Sequence, residues 1–220
     1  MAITQPLYYY LTMVAPIASL QRGVLRPRDA SRLYVQPRSE FLRLEKTGVL
    51  LKVAHGYYAV IPEANRGREW RPDMEAIALG IGQADYGKEA VSLMHISAAR
   101  IHGAIPRAIG VAVLAVPKQR PTLETKFGRI FFVKRNVGQL RRIRIATELG
   151  SGWTTNLEQT ALDLAKRENL ISDFSDVSRE AAIALVLRID KEKLQNFAKE
   201  SHMGSSLEKV ETWVANARSA

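Results

Sequence analysis

Residues 26–60 carry two proline-initiated stretches of helical spacing and then a glycine-centred hairpin, and this order limits the fold more than any other feature of the chain. Pro27 suits the first turn of a helix, because proline has a fixed φ and a first-turn N–H needs no helical partner. The apolar residues that repeat at helical spacing after it are Ala30, Leu33 and Tyr34. The pattern predicts a first short helix here.

A second helix is predicted from Pro37 to Thr47, where Gly48 ends it. On a helical wheel Phe41 and Leu44 share one face. The opposite face is polar and mainly basic, with Arg38, Ser39, Arg43 and Lys46. We therefore expect one face of this helix to pack and the other to meet phosphate.

A hairpin follows in residues 49–60, with Ala54, His55 and Gly56 at its turn and Lys52 near the tip. Two helices followed by a basic hairpin are typical of a winged helix-turn-helix, which places its second helix in a DNA groove. An earlier helix of the same module is predicted over residues 7–20. The alternative is a helical layer capped by a hairpin, whose basic residues contact only solvent.

The charge of the chain favours a polyanionic partner or an acidic protein surface, since its 220 residues carry a formal charge of +10. Residues 1–71 hold 11 Lys or Arg against 5 Asp or Glu, and residues 72–150 hold 12 against 6. Residues 151–220 hold 9 against 11. The basic surface is therefore expected in the first two thirds of the chain.

The absence of cysteine excludes disulfide scaffolds, thiolate zinc sites and cysteine nucleophiles, and it fits a cytoplasmic protein. The first twenty residues are fairly apolar, but no Lys or Arg precedes Arg22 and Pro16 interrupts the run, so export is not expected. No stretch approaches the roughly 20 apolar residues of a membrane helix. We expect no contact with a membrane.

Residues 62–72 are rich in proline and charge and are predicted to be a linker. They divide a DNA-binding domain, residues 1–71, from a second domain, residues 72–220. Helices are expected there over residues 74–84 and 90–101, strands over 111–116, 129–134 and 142–145, and helices from 156 onward. The predicted fold class is mixed α/β of the α+β type, with a helical C-terminal half.

Two helical segments of that half have distinct apolar patterns. The run 181–187 is apolar on every side and is expected to be buried. The last helix is amphipathic, with apolar residues at Leu207, Val210, Val214 and Ala217.

A second basic cluster surrounds the strand predicted over residues 142–145. Its members are Lys134, Arg135, Arg141, Arg142 and Arg144. It is predicted either to extend the DNA track or to face an acidic protein partner. The alternative is a solvated strand edge that its charges protect from aggregation.

A hydrolase or metal site has little support in the sequence. Ser97, His102 and Asp163 supply the residue types of a nucleophile site, but no Gly-x-Ser-x-Gly elbow accompanies them. His95 and His102 lie seven residues apart on one predicted helix, which is too far for a shared metal. No glycine-rich phosphate loop occurs either. We expect no enzymatic activity, no metal and no cofactor.

A metal-dependent nuclease is the enzymatic alternative. Asp73 and Glu124 would be the carboxylates that hold Mg²⁺, and Lys126 would steady the attacked phosphate. The spacing is long, and the Glu-x-Lys pair is predicted to lie in a turn and not in an apolar strand.

Three short motifs occur in order over residues 20–170. GVL at residues 48–50 precedes GYY at 56–58, SLMHISAARIHG spans 92–103, and TALDL spans 160–164. They are similar to the Gly-x-Leu and Gly-x-Tyr wing, the Ser-Ala-x-x-x-His-Gly segment and the Thr-x-x-Asp-Leu motif of the AbiEi family. These proteins are the antitoxins of bacterial AbiE-type toxin-antitoxin and phage abortive-infection systems. Gln159 departs from the pattern, because arginine often stands before this threonine.

The resemblance implies a winged-helix domain that represses its own promoter at inverted repeats and a C-terminal domain needed for antitoxicity. The partners would be promoter DNA and a nucleotidyltransferase-like toxin, neutralised with or without direct contact. The alternative function is a winged-helix regulator whose second domain senses a ligand or dimerises.

Within the DNA-binding module, Arg38, Ser39 and Arg43 are predicted to enter the groove, because side chains near the start of a recognition helix reach base edges. The residues predicted to hold phosphates and fix the docking register are Arg28, Arg32, Lys46, Lys52 and His55.

Overall fold

The computed structural model describes residues 23–219, and these residues adopt an α+β fold. The α-helices in this part of the chain are α1 (Pro37–Lys46), α2 (Met74–Tyr86), α3 (His95–Ile101), α4 (Leu157–Lys166), α5 (Ser175–Val186), α6 (Lys191–Glu200) and α7 (Gly204–Ser219). Each of them is too short or too polar to cross a membrane. The helix predicted over residues 7–20 lies outside the described residues.

The strands of the described residues form two sheets. They are β1 (Val24–Leu25), β2 (Leu50–Ala54), β3 (Tyr57–Val60), β4 (Ser92–Leu93), β5 (Val111–Val116), β6 (Leu123–Thr125), β7 (Gly128–Lys134), β8 (Arg142–Thr147) and β9 (Gly150–Thr155). The smaller sheet has the order β1-β3-β2, and the larger one has the order β6-β7-β5-β4-β9-β8. The predicted α+β fold class is confirmed.

The small sheet and α1 enclose an apolar cluster of their own. β3 pairs antiparallel with both β1 and β2. The ring of Phe41 on α1 meets the ring of Tyr58 on β3 edge to face, with centroids 5.2 Å apart. Leu25 and Leu44 are buried in the same cluster. The small sheet therefore packs against the apolar face of α1.

The helix predicted after Pro27 is only a single 3-10 turn, Pro27–Ala30. The carboxylate of Asp29 accepts hydrogen bonds from the backbone N–H of Arg26 at 3.0 Å and from the Arg26 guanidinium. The chain then extends toward Pro37, because a residue that precedes proline is driven out of the α region. That residue, Gln36, has φ −126° and ψ 74°.

β5 lies at the centre of the larger sheet, and all of its residues are buried. Such a continuous apolar run is typical of a strand covered on both faces. Val111, Val113 and Ala115 join the apolar cluster of the C-terminal helices. The alternate residues of the strand join a cluster with α2 and the small sheet. The larger sheet therefore separates the helical C-terminal half from the layer that contains α2 and the hairpin.

The helix predicted over residues 90–101 is wrong in its first half. Ser92–Leu93 forms β4, between β5 and β9, and α3 begins only at His95. A short buried strand and a short buried helix have the same apolar composition, so periodicity does not separate them. His95 has a left-handed φ of 56°, which turns the chain from the strand into the helix.

The other strand predictions agree well with the structure. Residues 111–116 are β5, residues 129–134 are β7 with one more residue at its start, and the strand at 142–145 extends to Thr147 as β8. β6 and β9 are absent from the prediction. The sequence of β9, GSGWTT, resembles a turn, but all six of its residues pair with β8.

The run 181–187 is not buried on every side as predicted. Ala181, Ala182 and Leu185 are buried, whereas Leu187 is 58% exposed because α5 already ends at Val186. The last helix is amphipathic as predicted at Leu207, Val210 and Val214, but Ala217, also predicted for its apolar face, is exposed. Its apolar face is buried at Val210 and partly buried at neighbouring apolar positions.

The residues on the two sides of the predicted linker share one apolar cluster. Val24 and Ala59 of the small sheet pack in it with α2. Gly80 on α2 permits this contact, because a Cβ atom there would lie 2.3 Å from the Cγ2 atom of Val24. Within the linker, Trp70 donates a hydrogen bond to Glu148 at 3.2 Å. The division at residues 62–72 stays a prediction, and packing across it is observed.

Candidate nucleic-acid interface

The inner face of α1 is buried against the small sheet, and its outer side carries polar residues together with Leu42, which is 50% exposed. Phe41 and Leu44 are buried, as their spacing predicts, whereas Arg38, Ser39 and Lys46 are exposed. Pro37 opens the helix at its first turn. Beyond Lys46, Gly48 takes a left-handed φ of 71° and ends the helix.

The hairpin of β2 and β3 packs beside α1 and carries His55, exposed, at its turn. Gly56 has φ 79°, as a tight turn requires. Lys52 on β2 lies opposite Tyr58 in the register and is partly exposed. The carbonyl of Val53 accepts a hydrogen bond at 2.8 Å from the backbone N–H of Lys126. This bond fixes the hairpin against the turn between β6 and β7.

Residues predicted for the groove and for phosphate lie together at the start of α1. A shallow cavity of about 370 Å³ there is lined by Pro27, Arg28, Gln36, Pro37, Arg38 and Ser39. The Arg28 side chain is 71% exposed, and its guanidinium lies 3.6 Å from the carboxylate of Asp85. Arg32 is also exposed. This end of α1 therefore has three exposed arginines, Arg28, Arg32 and Arg38, beside the exposed apolar side chains of Leu33 and Val35.

Arg43 forms an ion pair that the sequence pattern does not indicate. Its guanidinium donates to the carboxylate of Glu40, with Nη2 at 2.6 Å from Oε1 and Nε at 3.1 Å from Oε2. A base contact by Arg43 requires this pair to open or to be shared. Arg38 and Ser39 form no side-chain hydrogen bond with residues 23–219. They are the groove candidates that need no such rearrangement.

Asp85, at the end of α2, ties the hairpin to the larger sheet, although nothing in the sequence pattern points to it. Its carboxylate accepts hydrogen bonds from Arg26 at 2.5 Å, from Arg120 at 2.5 Å and from the Tyr57 hydroxyl at 2.6 Å. Burial, together with the hydrogen bond to Asp85, raises the pKa of Tyr57. The Asp85 cluster, made of Asp85 with Arg26, Tyr57 and Arg120, thereby sets the orientation of the hairpin.

The members of the second basic cluster have different local environments. Arg142 stacks over the Trp153 ring at 5.0 Å, and Arg144 donates to the Ser151 hydroxyl at 3.1 Å, so both are engaged along the β8 edge. Lys134 is exposed at the end of β7. The two remaining members, Arg135 and Arg141, line a cavity beside α4.

The histidines of the predicted helix are each bonded to a backbone carbonyl. The His95 ring lies 3.0 Å from the carbonyl oxygen of Arg167, and the His102 ring lies 2.8 Å from that of Thr155. Burial lowers the pKa of His95 to about 4 and lowers the pKa of His102 as well. His95 opens α3 and His102 follows its last residue.

The structure does not bring Ser97, His102 and Asp163 together as a nucleophile site. The Ser97 hydroxyl accepts from the backbone N–H of Val113 at 2.9 Å, and Asp163 is paired with Arg135 at 2.9 Å. His102 is directed to Thr155. Each side chain therefore has a separate structural partner.

The two segments of the nuclease alternative lie close together, since the Thr125 hydroxyl is 3.8 Å from the Met74 sulfur. Glu124 lies on β6, so its placement in a turn is wrong, and Lys126 follows the strand. Between residues 23 and 219 no group of three or more His, Asp or Glu side chains is placed to hold a metal ion.

The described residues define an α+β protein whose first elements are a short strand, a 3-10 turn, a helix with basic residues on its outer face and a hairpin. The crystal structure of the RV2827C protein from Mycobacterium tuberculosis has a similar fold, with a TM-score of 0.55 and 17% sequence identity over 92% of this chain and 79% of that chain. This likeness concerns the fold alone. No protein-family model and no curated protein matches the chain.

Proposed function

We propose that this chain binds duplex DNA by placing α1 in the major groove and the β2–β3 hairpin against the backbone. The observation that carries the proposal is the pairing of an exposed basic face on α1 with a buried apolar face on the same helix. Residues 26–60 hold seven Lys or Arg against three Asp or Glu, so the module is cationic. Such a surface releases counterions from DNA when it contacts phosphates.

The exposed side chains divide into two roles. Arg38 and Ser39 lie near the start of α1 and read base edges, since arginine pairs bidentately with guanine. Arg43 contributes when its pair with Glu40 opens or is shared with a base. Contacts to phosphates come from Arg28, Arg32, Lys46, Lys52 and His55.

The biological role that fits the resemblance to AbiEi proteins is a cytoplasmic, non-enzymatic antitoxin that represses its own operon. The DNA partner is then its own promoter at inverted repeats, and the protein partner is a nucleotidyltransferase-like toxin. Support for the antitoxin role comes from the short motifs around residues 48–58, 92–103 and 160–164. Support for DNA binding comes in addition from the charge and exposure of α1 and the hairpin.

Substitutions at Lys52 and Arg38 are expected to have different effects on DNA binding. Lys52→Ala weakens binding to promoter and scrambled duplexes alike, and it flattens the slope of log affinity against log salt by about one unit. Arg38→Ala costs about 1–3 kcal/mol on the promoter duplex and much less on the scrambled one. Fluorescence anisotropy over a salt series, with a duplex taken from upstream of the gene, measures both effects.

Glu40→Gln is the control expected to have the opposite effect, because it removes a negative charge from α1 and, with it, the ion pair between Glu40 and Arg43. This variant is expected to bind both duplexes more tightly than the wild type. Equal weakening of the two duplexes by Arg38→Ala would show that the groove assignment is wrong.

Antitoxicity is expected to persist when promoter binding is lost. The full chain with Arg38→Ala, produced from a promoter that it does not regulate, should restore growth of cells that express the toxin encoded beside its gene as fully as the wild type does. Growth rates at matched protein levels test this. If the wild type restores growth and the Arg38→Ala variant does not, neutralisation of the toxin depends on DNA binding.

A further inference from the structure

A cavity beside α4 has a charge and shape that the proposed DNA-binding role does not use. Its volume is about 520 Å³, within the roughly 300–1,000 Å³ of small-molecule sites. Three parts of the chain enclose it: the crossing from β7 to β8 at residues 135–141, the side of α4, and the turn that joins α6 to α7. It is a recess and not an exposed strand edge.

Arg135 supplies a fixed cation at this recess. Its Nη1 donates to Oδ1 of Asp163 at 2.9 Å, and the Asp163 side chain is completely buried. The other guanidinium N–H groups of Arg135 have no acceptor among residues 23–219. One bond therefore holds the guanidinium in place while its remaining donors stay available to a ligand. Preorganised donors of this kind favour binding because little side-chain freedom is lost.

Further cations surround the same space. Lys166, at the end of α4, is exposed and forms no ion pair within the described part of the chain. Arg141 also lines the cavity, and the single acid there, Glu200, lies 3.4 Å from it with both side chains about two thirds exposed. Since Glu200 offsets Arg141 and Asp163 offsets Arg135, Lys166 leaves the cavity with a positive charge.

An asparagine and a constrained turn complete the lining. Asn136 lines the cavity, and His202 lines it from the turn between α6 and α7. His202 has a left-handed φ of 52°, an uncommon conformation for a residue with a side chain. Cationic donors that converge on one recess suit a phosphoryl group.

We propose that this cavity binds a small organic phosphate, with Arg135 and Lys166 contacting its phosphoryl oxygens. The site is separate from the proposed DNA surface, because no residue assigned to DNA on α1 or the hairpin lines it. A duplex backbone does not enter such a recess, whereas a compound of nucleotide size does. The proposal does not depend on the antitoxin or repressor role.

Titration calorimetry with the full chain in EDTA at constant ionic strength tests the site, with AMP, inorganic pyrophosphate and inorganic phosphate as probes. Wild-type protein is expected to bind AMP with a Kd below about 1 mM. Lys166→Gln is expected to weaken AMP binding about tenfold or more, because one charge-assisted hydrogen bond is lost. Lys52→Gln on the hairpin is the matched control and should leave AMP binding unchanged while it weakens DNA binding.

Several results would contradict the proposed phosphate site. These are no binding of AMP by the wild type, binding of inorganic phosphate without AMP, or equal losses in Lys166→Gln and Lys52→Gln. Arg141→Gln, at an exposed position, is a second variant and should also weaken AMP binding. The results on AMP and phosphate binding do not test DNA binding, so the two proposals can be supported or rejected independently.

Discussion

Asp85→Asn is expected to lower the free energy of unfolding by about 3 kcal/mol, the lower end of the range for removing one partner of a buried ion pair. Asp85 is 11% exposed and compensates the guanidinium groups of Arg26 and Arg120, both at 2.5 Å. Asparagine keeps the size of the side chain but removes the negative charge. Both arginines then remain partly buried, and only Arg26 keeps a second acid, Asp29.

Urea unfolding followed by circular dichroism measures this loss as a lower midpoint with an unchanged slope. The matched control is Glu200→Gln, because Glu200 forms an exposed pair with Arg141 at 3.4 Å. Exposed pairs contribute about 0–1 kcal/mol, so that variant should stay close to the wild type. An Asp85→Asn protein as stable as the Glu200→Gln protein would show that the Asp85 cluster does not hold the hairpin to the rest of the fold.

The elements that the sequence predicts well are those with a strong local signal. α1 is one of them, since Pro37 and Gly48 mark its ends and Phe41 and Leu44 mark its buried face. β5 is another, because a long apolar run bounded by turns favours a buried strand. In both cases the local pattern agrees with the tertiary environment.

The elements that the sequence analysis misses depend on distant partners. β4 has only two residues and is a strand because β5 and β9 lie on either side of it. β9 contains two glycines, and Gly152 is needed where a Cβ would lie 2.9 Å from a methyl carbon of Leu79 on α2. Such a close approach between a strand and a helix is not visible in local periodicity.

The candidate sites also differ in whether a local sequence pattern or a distant partner determines them. Exposure of Arg38, Ser39 and Lys46 follows from helical spacing alone. The Asp85 cluster joins residues up to 94 positions apart in sequence, from Arg26 to Arg120, and no motif marks it. The second basic cluster is contiguous in sequence, yet the crossing between β7 and β8 sends Arg135 into a recess and Arg142 to a sheet edge.

Lowering the pH from about 6.5 to about 4 is expected to remove roughly 3 kcal/mol of stability through His95 alone. Burial lowers the pKa of this imidazole to about 4 in the folded chain, below the 6.5 of an exposed histidine. The unfolded chain therefore binds more protons between these two pH values, and protonation favours unfolding. The contribution of His95 is complete above pH 6.5 and is lost progressively as the pH falls through this window.

The difference in unfolding free energy between the wild type and His95→Gln, measured across this pH range, isolates the effect. Glutamine places an amide nitrogen near the position of Nε2, so it can still donate to the Arg167 carbonyl, but it does not titrate. His102 acts in the same direction as His95, whereas burial raises the pKa of Asp163 and Glu75, which makes these carboxyls act in the opposite direction. His102, Asp163 and Glu75 are present in both proteins, so their contributions to the pH dependence cancel in the difference. A wild-type stability parallel to that of His95→Gln at every pH would show that His95 is not buried as a neutral ring.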